Sequence, residues 1–295
     1  MNEVRTILLK CCNSLLNLSF CLCLLFLLAL VLQVFCFTSF KIPSDSMEPT
    51  LQAGDKILVN KMVMGARLFN ISAALENKDV AIYRVPSLDK LQRNDVLVFN
   101  FPYEKKRKDS IRFDVMQYYV KRCVALPGDT LEIRQGLFKV RGVNEILGNA
   151  RAQGQISEML AKDEKTIVLR AFPRDKIMGW TVLEFGPLPV PKQGQVVKMN
   201  RENGCLYKQL LGWEQKRKVT VKDDAVMIGD SVINEYQFEK NYYFVAGDKA
   251  DNSQDSRYWG MLPEEYIVGK ATYIWSSVNR YTGQVLWERV MKKIK

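Results

Sequence analysis

A mainly β fold is what this sequence predicts: an antiparallel β-sheet domain with an inserted β-rich subdomain, preceded by one N-terminal transmembrane helix. Three observations carry that expectation. Residues 15–38 contain no charged side chain. Beyond them, short runs rich in β-branched and aromatic residues are bounded by Gly, Asn or Pro. Gly-Asp pairs recur at 54–55, 128–129, 229–230 and 247–248, each beside such a run and at irregular spacing, as turns and not as a repeat.

The uncharged stretch reads as an anchor. At about 1.5 Å per residue it makes a helix of about 36 Å, enough to cross a hydrocarbon core of about 30 Å. A cleavable secretion leader is the competing reading. Such a leader has an apolar region of about 7–15 residues ending in small side chains, whereas the exit here is Phe35-Cys36-Phe37-Thr38-Ser39-Phe40. Arg5 and Lys10 precede the stretch and only Lys41 follows closely, which favours a cytoplasmic N-terminus. The expected division is 1–14 cytoplasmic, 15–38 transmembrane, 39–131 and 240–295 the catalytic β-domain, and 132–239 the inserted subdomain.

Asp55 to Asn60, Asp95 to Phe101, Tyr118 to Leu126 and Lys270 to Trp275 have the composition of strands. The middle differs in texture. Residues 150–165 are polar with a helical look, Phe185 to Pro191 is extended and proline-rich, and strand character resumes at Val196 to Met199.

Composition excludes several chemistries. The chain carries 43 Lys+Arg against 32 Asp+Glu, a formal net charge of +11. Nucleic acid and an anionic membrane surface are both candidate partners for such a chain. The basic residues are scattered, apart from runs such as Lys105-Lys106-Arg107-Lys108 and Lys216-Arg217-Lys218, and no nucleic-acid-binding motif accompanies them. Membrane lipids are therefore the expected partner and nucleic acid is not. The chain has no histidine, which removes Ser-His-Asp and Cys-His mechanisms and the commonest zinc and iron sites; no cofactor or metal is expected. Cys11, Cys12, Cys21, Cys23 and Cys36 lie in or next to the anchor, where they act as small apolar residues. Cys123 and Cys205 alone remain, and they are not expected to pair.

Directly after the anchor comes Lys41-Ile42-Pro43-Ser44-Asp45-Ser46-Met47-Glu48-Pro49-Thr50-Leu51. One reading is a polar cap that ends a hydrophobic helix. The other is a nucleophilic serine held at the membrane surface. Without histidine, the best base is a lysine stripped of its charge by burial. A free lysine, with a pKa near 10.4, is neutral about one time in a thousand at pH 7.4; a drop of about 2 units makes roughly a tenth of it neutral at about 2.7 kcal/mol. Lys121 interrupts the apolar run Tyr118 to Leu126, and strand alternation sets it with Tyr119, Cys123 and Ala125 while Arg122 faces the other way, toward solvent or a carboxylate. An exposed lysine on a half-buried strand is the plainer alternative.

The full set of motifs bears on that choice. Ser46-Met47-Glu48-Pro49-Thr50-Leu51, Gly54-Asp55-Lys56-Ile57-Leu58-Val59-Asn60-Lys61, Lys121-Arg122 ahead of Leu126-Pro127-Gly128-Asp129, and the stretch from Gly247 to Ala271 follow one another in this order. Together they resemble the bacterial type I signal peptidases, Ser-Lys serine proteases anchored in the plasma membrane. The resemblance takes in the anchor and both ends of the outer part and is weak over the middle.

What it implies is specific. Ser46 matches the nucleophile and Lys121 the general base. The Ser44 hydroxyl and the Ser46 amide match the oxyanion hole. Ser253 matches a serine that orients the lysine ammonium, and Asp255 and Arg257 a supporting ion pair. Ile42 and Val120 match walls of shallow pockets for small side chains at the −1 and −3 positions. The implied activity is removal of N-terminal signal peptides from exported preproteins, on the outer or periplasmic side of the bacterial inner membrane. Two departures are visible. Gly247-Asp248-Lys249-Ala250 stands where the family often has Gly-Asp-Asn-Arg, and Asp45 where many members have glycine. A lysine at 249 lying close would depress the pKa of Lys121 further; the expectation is that it points outward and does nothing.

The alternatives are a specialised Ser-Lys peptidase for a pilin or conjugation protein, and a non-catalytic membrane-tethered binding module of the same fold. The latter would be expected to have lost Ser46, Lys121 or Ser253, and this chain keeps all of them. A self-cleaving repressor is disfavoured because Ala53-Gly54 follows Ser46 and an anchor stands where a DNA-binding head would be.

Overall fold

A computed structural model describes residues 2–76, 78–103, 110–162, 170–175 and 177–295; the basic run at 105–108 lies outside them. The anchor is one α-helix, Asn2–Phe35, whose segment Cys12–Phe35 is long and apolar enough to cross a membrane. It ends earlier than expected. Residues 37 and 38 belong to the strand Phe37–Lys41, because β-branched and aromatic side chains there pair with Asp55–Asn60. The last turn of a helix leaves carbonyls without partners. Here Lys61 Nζ donates to the carbonyls of Gln33 (2.8 Å) and Val34 (3.2 Å), and its amide donates to Cys36 (2.8 Å). A lysine at a helix C-terminus also suits the helix dipole.

The main sheet has eight strands, all antiparallel. Its order is Phe37–Lys41, Asp55–Asn60, Ile267–Ser277, Val96–Asn100, Tyr118–Ala125, Tyr242–Ala246 and Leu262–Pro263, with Lys292–Lys293 pairing beside Ile267–Ser277. Both faces are covered. Val96 and Val98 enter one apolar cluster with Met47, Leu51, Ile57 and Val59, while Leu97 and Phe99 enter the other with Cys123 and Phe244. The alternation follows from the two-residue period of a strand, and it makes Val96–Asn100 buried along its whole length.

Chain between the Tyr118–Ala125 and Tyr242–Ala246 strands builds separate small sheets. Thr130–Arg134 pairs with Leu137–Val140 and Phe185–Pro189, so this sheet begins ahead of residue 132. Val196–Lys198 pairs with Glu235–Gln237, and Val219–Lys222, Ala225–Ile228 and Ser231–Ile233 form a meander. The region is also helical. Ala150–Lys162 is a helix, and so is Arg201–Gln215, which the strand reading passes over. Asn200 caps the second helix by accepting from the Asn203 amide (2.9 Å). Leu206, Tyr207, Leu210 and Leu211 form its buried face. Gly204 lets it lie close on the meander, since a Cβ there would come within 2.7 Å of Val226 and 2.9 Å of Val221.

Candidate active site

Ser46 sits in the turn that leaves the Phe37–Lys41 strand. Met47 and Leu51 are 2% and 0% exposed and plug the turn into the smaller apolar cluster. Backbone bonds from Leu51 to the Met47 carbonyl and from Glu48 to the Asp45 carbonyl, each 2.9 Å, close it. The nucleophile candidate is thereby fixed by packing on one side and is itself half-buried.

Lys121 comes from the middle of the sheet, opposite Leu97. Its Nζ lies 2.6 Å from Ser46 Oγ. The side chain is 3% exposed, with the Tyr119 ring centre 5.9 Å from Nζ. Burial pushes its pKa down to about 8; Arg257 helps, while Asp255, Asp248 and Asp45 oppose the shift. The exposed-lysine alternative is thus not what the structure shows.

Arg122 turns the other way and finds its carboxylate, Asp248. Nε and Nη2 each donate at 2.6 Å to the two carboxylate oxygens, a bidentate pair with both members buried. Its remaining donors reach the Asn94 carbonyl (2.6 Å) and Thr50 Oγ1 (3.1 Å), which ties the end of the nucleophile turn to the strand carrying the base. Neither Asp248 nor Thr50 is singled out by the sequence reading. The signal was present in the recurring Gly-Asp pair, taken there for a turn.

Asp255 and Arg257 form the expected pair, fully buried, with Nε at 2.9 Å and Nη2 at 2.8 Å. Burial works against the Asp255 carboxylate, but the Arg257 guanidinium outweighs it and holds the pKa below the ordinary value. Asp255 also accepts from the Gly247 amide (2.9 Å). Gly247 is where the two halves of the site touch: a Cβ there would lie 2.2 Å from Ser253 Oγ and 2.6 Å from the Ser46 carbonyl oxygen. Ser253 is buried. Its hydroxyl lies near enough to help lower the Asp255 pKa, yet among the described residues no contact of it meets hydrogen-bond geometry. Ser253 makes no hydrogen bond to Lys121 among the described residues.

Ser44 is exposed, two residues from the nucleophile. Ile42 and Val120 join the same apolar cluster, but Ile42 is 3% exposed and Val120 half-buried. Ile42 thus offers little surface of its own; it is held by backbone bonds to Asp55 (2.8 Å) and from Gly54 (3.0 Å).

Lys249 departs from expectation. It stays partly exposed, but it is not idle: Nζ donates to Asp45 at 2.5 Å and Glu48 at 3.2 Å, on either side of Ser46. Those carboxylates raise its pKa.

Cys123 is a buried free thiol and Cys205 a free thiol beside Asp175. Among the described residues no cluster of His, Cys, Asp and Glu side chains is arranged to hold a metal.

Comparison with known proteins points one way. The family model described as "Signal peptidase, peptidase S26" matches residues 15–276. A signal peptidase I of Buchnera aphidicola (subspecies Schizaphis graminum) is 30% identical over 269 residues, covering 86% of this chain and 73% of that one. Signal peptidase I of Pseudomonas aeruginosa is 30% identical over 262 residues, covering 85% and 68%. That of Aquifex aeolicus is 28% identical over 265 residues, covering 89% and 82%.

Proposed function

The chain belongs to the signal peptidase family, peptidase S26, and is a hydrolase of the serine endopeptidase class; we propose that Ser46 is its nucleophile, Lys121 its general base and the signal peptides of exported preproteins its substrates. The observation that carries this reading is the 2.6 Å contact between Ser46 Oγ and a buried Lys121 Nζ.

With its pKa near 8, Lys121 is neutral about a fifth of the time at pH 7.4, against about one part in a thousand for a free lysine. The neutral amine takes the proton of Ser46 as Oγ attacks the scissile carbonyl. The Ser46 amide and Ser44 hydroxyl face the oxyanion that develops. The mature protein leaves as the amine product, carrying a proton returned by Lys121. Lys121 then deprotonates the water that splits the acyl-enzyme and frees the signal peptide. Ser253, buried and unpartnered beside Gly247 and Asp255, receives the ammonium once Ser46 is acylated, which stands as the role proposed for it. Asp255 and Arg257 hold the 247–257 segment in place.

The anchor helix ends where the sheet begins, so the turn bearing Ser46 follows within one strand. A cleavage site presented at the outer face of the bilayer meets the nucleophile there, and the N-terminus is cytoplasmic. Incubating the purified protein with a preprotein and sequencing the new N-terminus tests the activity; a single cut after the signal peptide supports it and an intact preprotein contradicts it. Protease added to spheroplasts tests the orientation, digestion of the part beyond residue 41 being the expected result and its protection the contrary one.

A further inference from the structure

The segment 249–252 reaches across to the nucleophile turn at several points. The Lys249 amide donates to the Ser46 carbonyl (3.1 Å). Lys249 Nζ bridges the carboxylates of Asp45 and Glu48, residues on either side of the nucleophile. Asn252 Nδ2 meets both Asp45 oxygens at 3.1 Å. The Asn252 amide donates back to the Lys249 carbonyl (3.2 Å), so 249–252 is itself a closed turn.

That arrangement meets a problem the sequence creates. Asp45 is directly bonded in sequence to both Ser44 and Ser46. A bare carboxylate there would stabilise the charged form of a neighbouring lysine and repel the oxyanion forming at the same turn. We propose that Lys249 is a positioning residue of this reaction, a cationic clamp that offsets the charge of Asp45 and fixes the turn carrying Ser46, so that the base and the developing oxyanion face a turn of reduced negative charge. The proposal rests on the Ser46–Lys121 reading.

The other charges around Lys121 are already paired. Asp255 is held by Arg257, and Asp248 by Arg122. Asp45 is a third acidic group acting on Lys121, and it favours the protonated amine; Tyr119, on the same strand, presents its ring. With Lys249 present, the trio Asp45, Glu48 and Lys249 carries one net negative charge. Without it the trio carries two, and with Asp45 neutralised it carries none.

The experiment is the pH profile of kcat/KM for full-length enzyme in detergent, cleaving one preprotein. Lys249→Ala should move the ascending limb upward by up to roughly half a unit, a small displacement because the charge it removes is partly exposed and screened. Asp45→Asn should move it downward. The double variant Asp45→Asn/Lys249→Asn should return it close to that of the unaltered enzyme. A clamp that only held shape would lower the rate without these opposite displacements. Coincident limbs in Lys249→Ala and the unaltered enzyme, or displacement of both single variants in the same direction, would overturn the proposal. Should Lys249→Ala not fold, the downward displacement in Asp45→Asn and its reversal by Lys249→Asn decide the matter alone. A Ser46→Ala control separates the two levels: activity retained there contradicts the nucleophile assignment itself, whereas loss there with unmoved limbs contradicts only the clamp.

Discussion

The Tyr118–Ala125 strand and the Val219–Ile233 meander are both antiparallel, yet only the first carries a buried lysine. The first lies between Val96–Asn100 and Tyr242–Ala246, partners from distant parts of the chain, and is buried from Lys121 to Ala125. The second is built from neighbours joined by two-residue turns at 223–224 and 229–230, and it leaves Val232 58% exposed. Desolvation strong enough to lower a lysine pKa needs a buried position on a covered sheet face, which Lys121 has and the meander's exposed Lys222 does not. The difference shows where this chain gives up stability: around Lys121, whose burial opposes its charged form.

Removing either member of the reacting pair gives the largest effect. Ser46→Ala and Lys121→Ala should each lower kcat by roughly four to six orders of magnitude, and the double variant should be no slower than either. Preprotein turnover by folded, purified variants checks this, and additive losses would break the idea that the two act as a unit.

A second effect concerns stability and carries a sign. The folded-state pKa of Lys121, about 8, lies below the ordinary value of 10.5. Below about pH 8 both states are protonated and the folded state bears the full penalty of a buried charge. As pH rises from about 8 to 10.5, the folded state sheds its proton first and the penalty fades. Lys121→Met should therefore stabilise the protein by up to about 3 kcal/mol at pH 7, with the gain vanishing above about pH 10.5. Thermal unfolding in detergent across that range reads it.

How much of this was legible beforehand follows the same division. Ser46 and Lys121 could be found because each lies in a local pattern: a turn directly after the anchor, and a lysine breaking an apolar strand. Arg122–Asp248 could not, since the partners are 126 residues apart and only the sheet brings them together. Lys249 was read outward for the same reason; its carboxylates lie about two hundred residues earlier. The Arg201–Gln215 helix went unread; it carries Gly204 and Gly212, poor helix formers, the first of which the close approach of Val221 and Val226 explains. Ser253 could be named only through its place in the motif; its hydroxyl has no hydrogen-bond partner among the described residues.

A smaller effect separates Val120 from Ile42. Half-buried Val120, widened by Val120→Ala, should relax cleavage fidelity by no more than about 10- to 200-fold in discrimination, the worth of a methylene or two in an apolar pocket. Nearly buried Ile42 should act mainly through stability, Ile42→Ala lowering it by about 2–5 kcal/mol. Mass spectrometry of products and thermal unfolding distinguish them; extra cut sites from Ile42→Ala at unchanged stability would reverse the assignment. The smallest change belongs to the meander. Val232→Thr should leave turnover unaltered and stability within about 0.5 kcal/mol, and a slower enzyme would show that the meander reaches the site after all.

The central claim is that burial of Lys121 within the sheet makes it a base for Ser46. The pH dependence of kcat/KM for preprotein cleavage tests it most directly, since that profile reports the free enzyme's essential groups. The account predicts an ascending limb with an apparent pKa near 8, where burial places Lys121. A rate still climbing steeply at about pH 10, where an ordinary exposed lysine titrates, would contradict it.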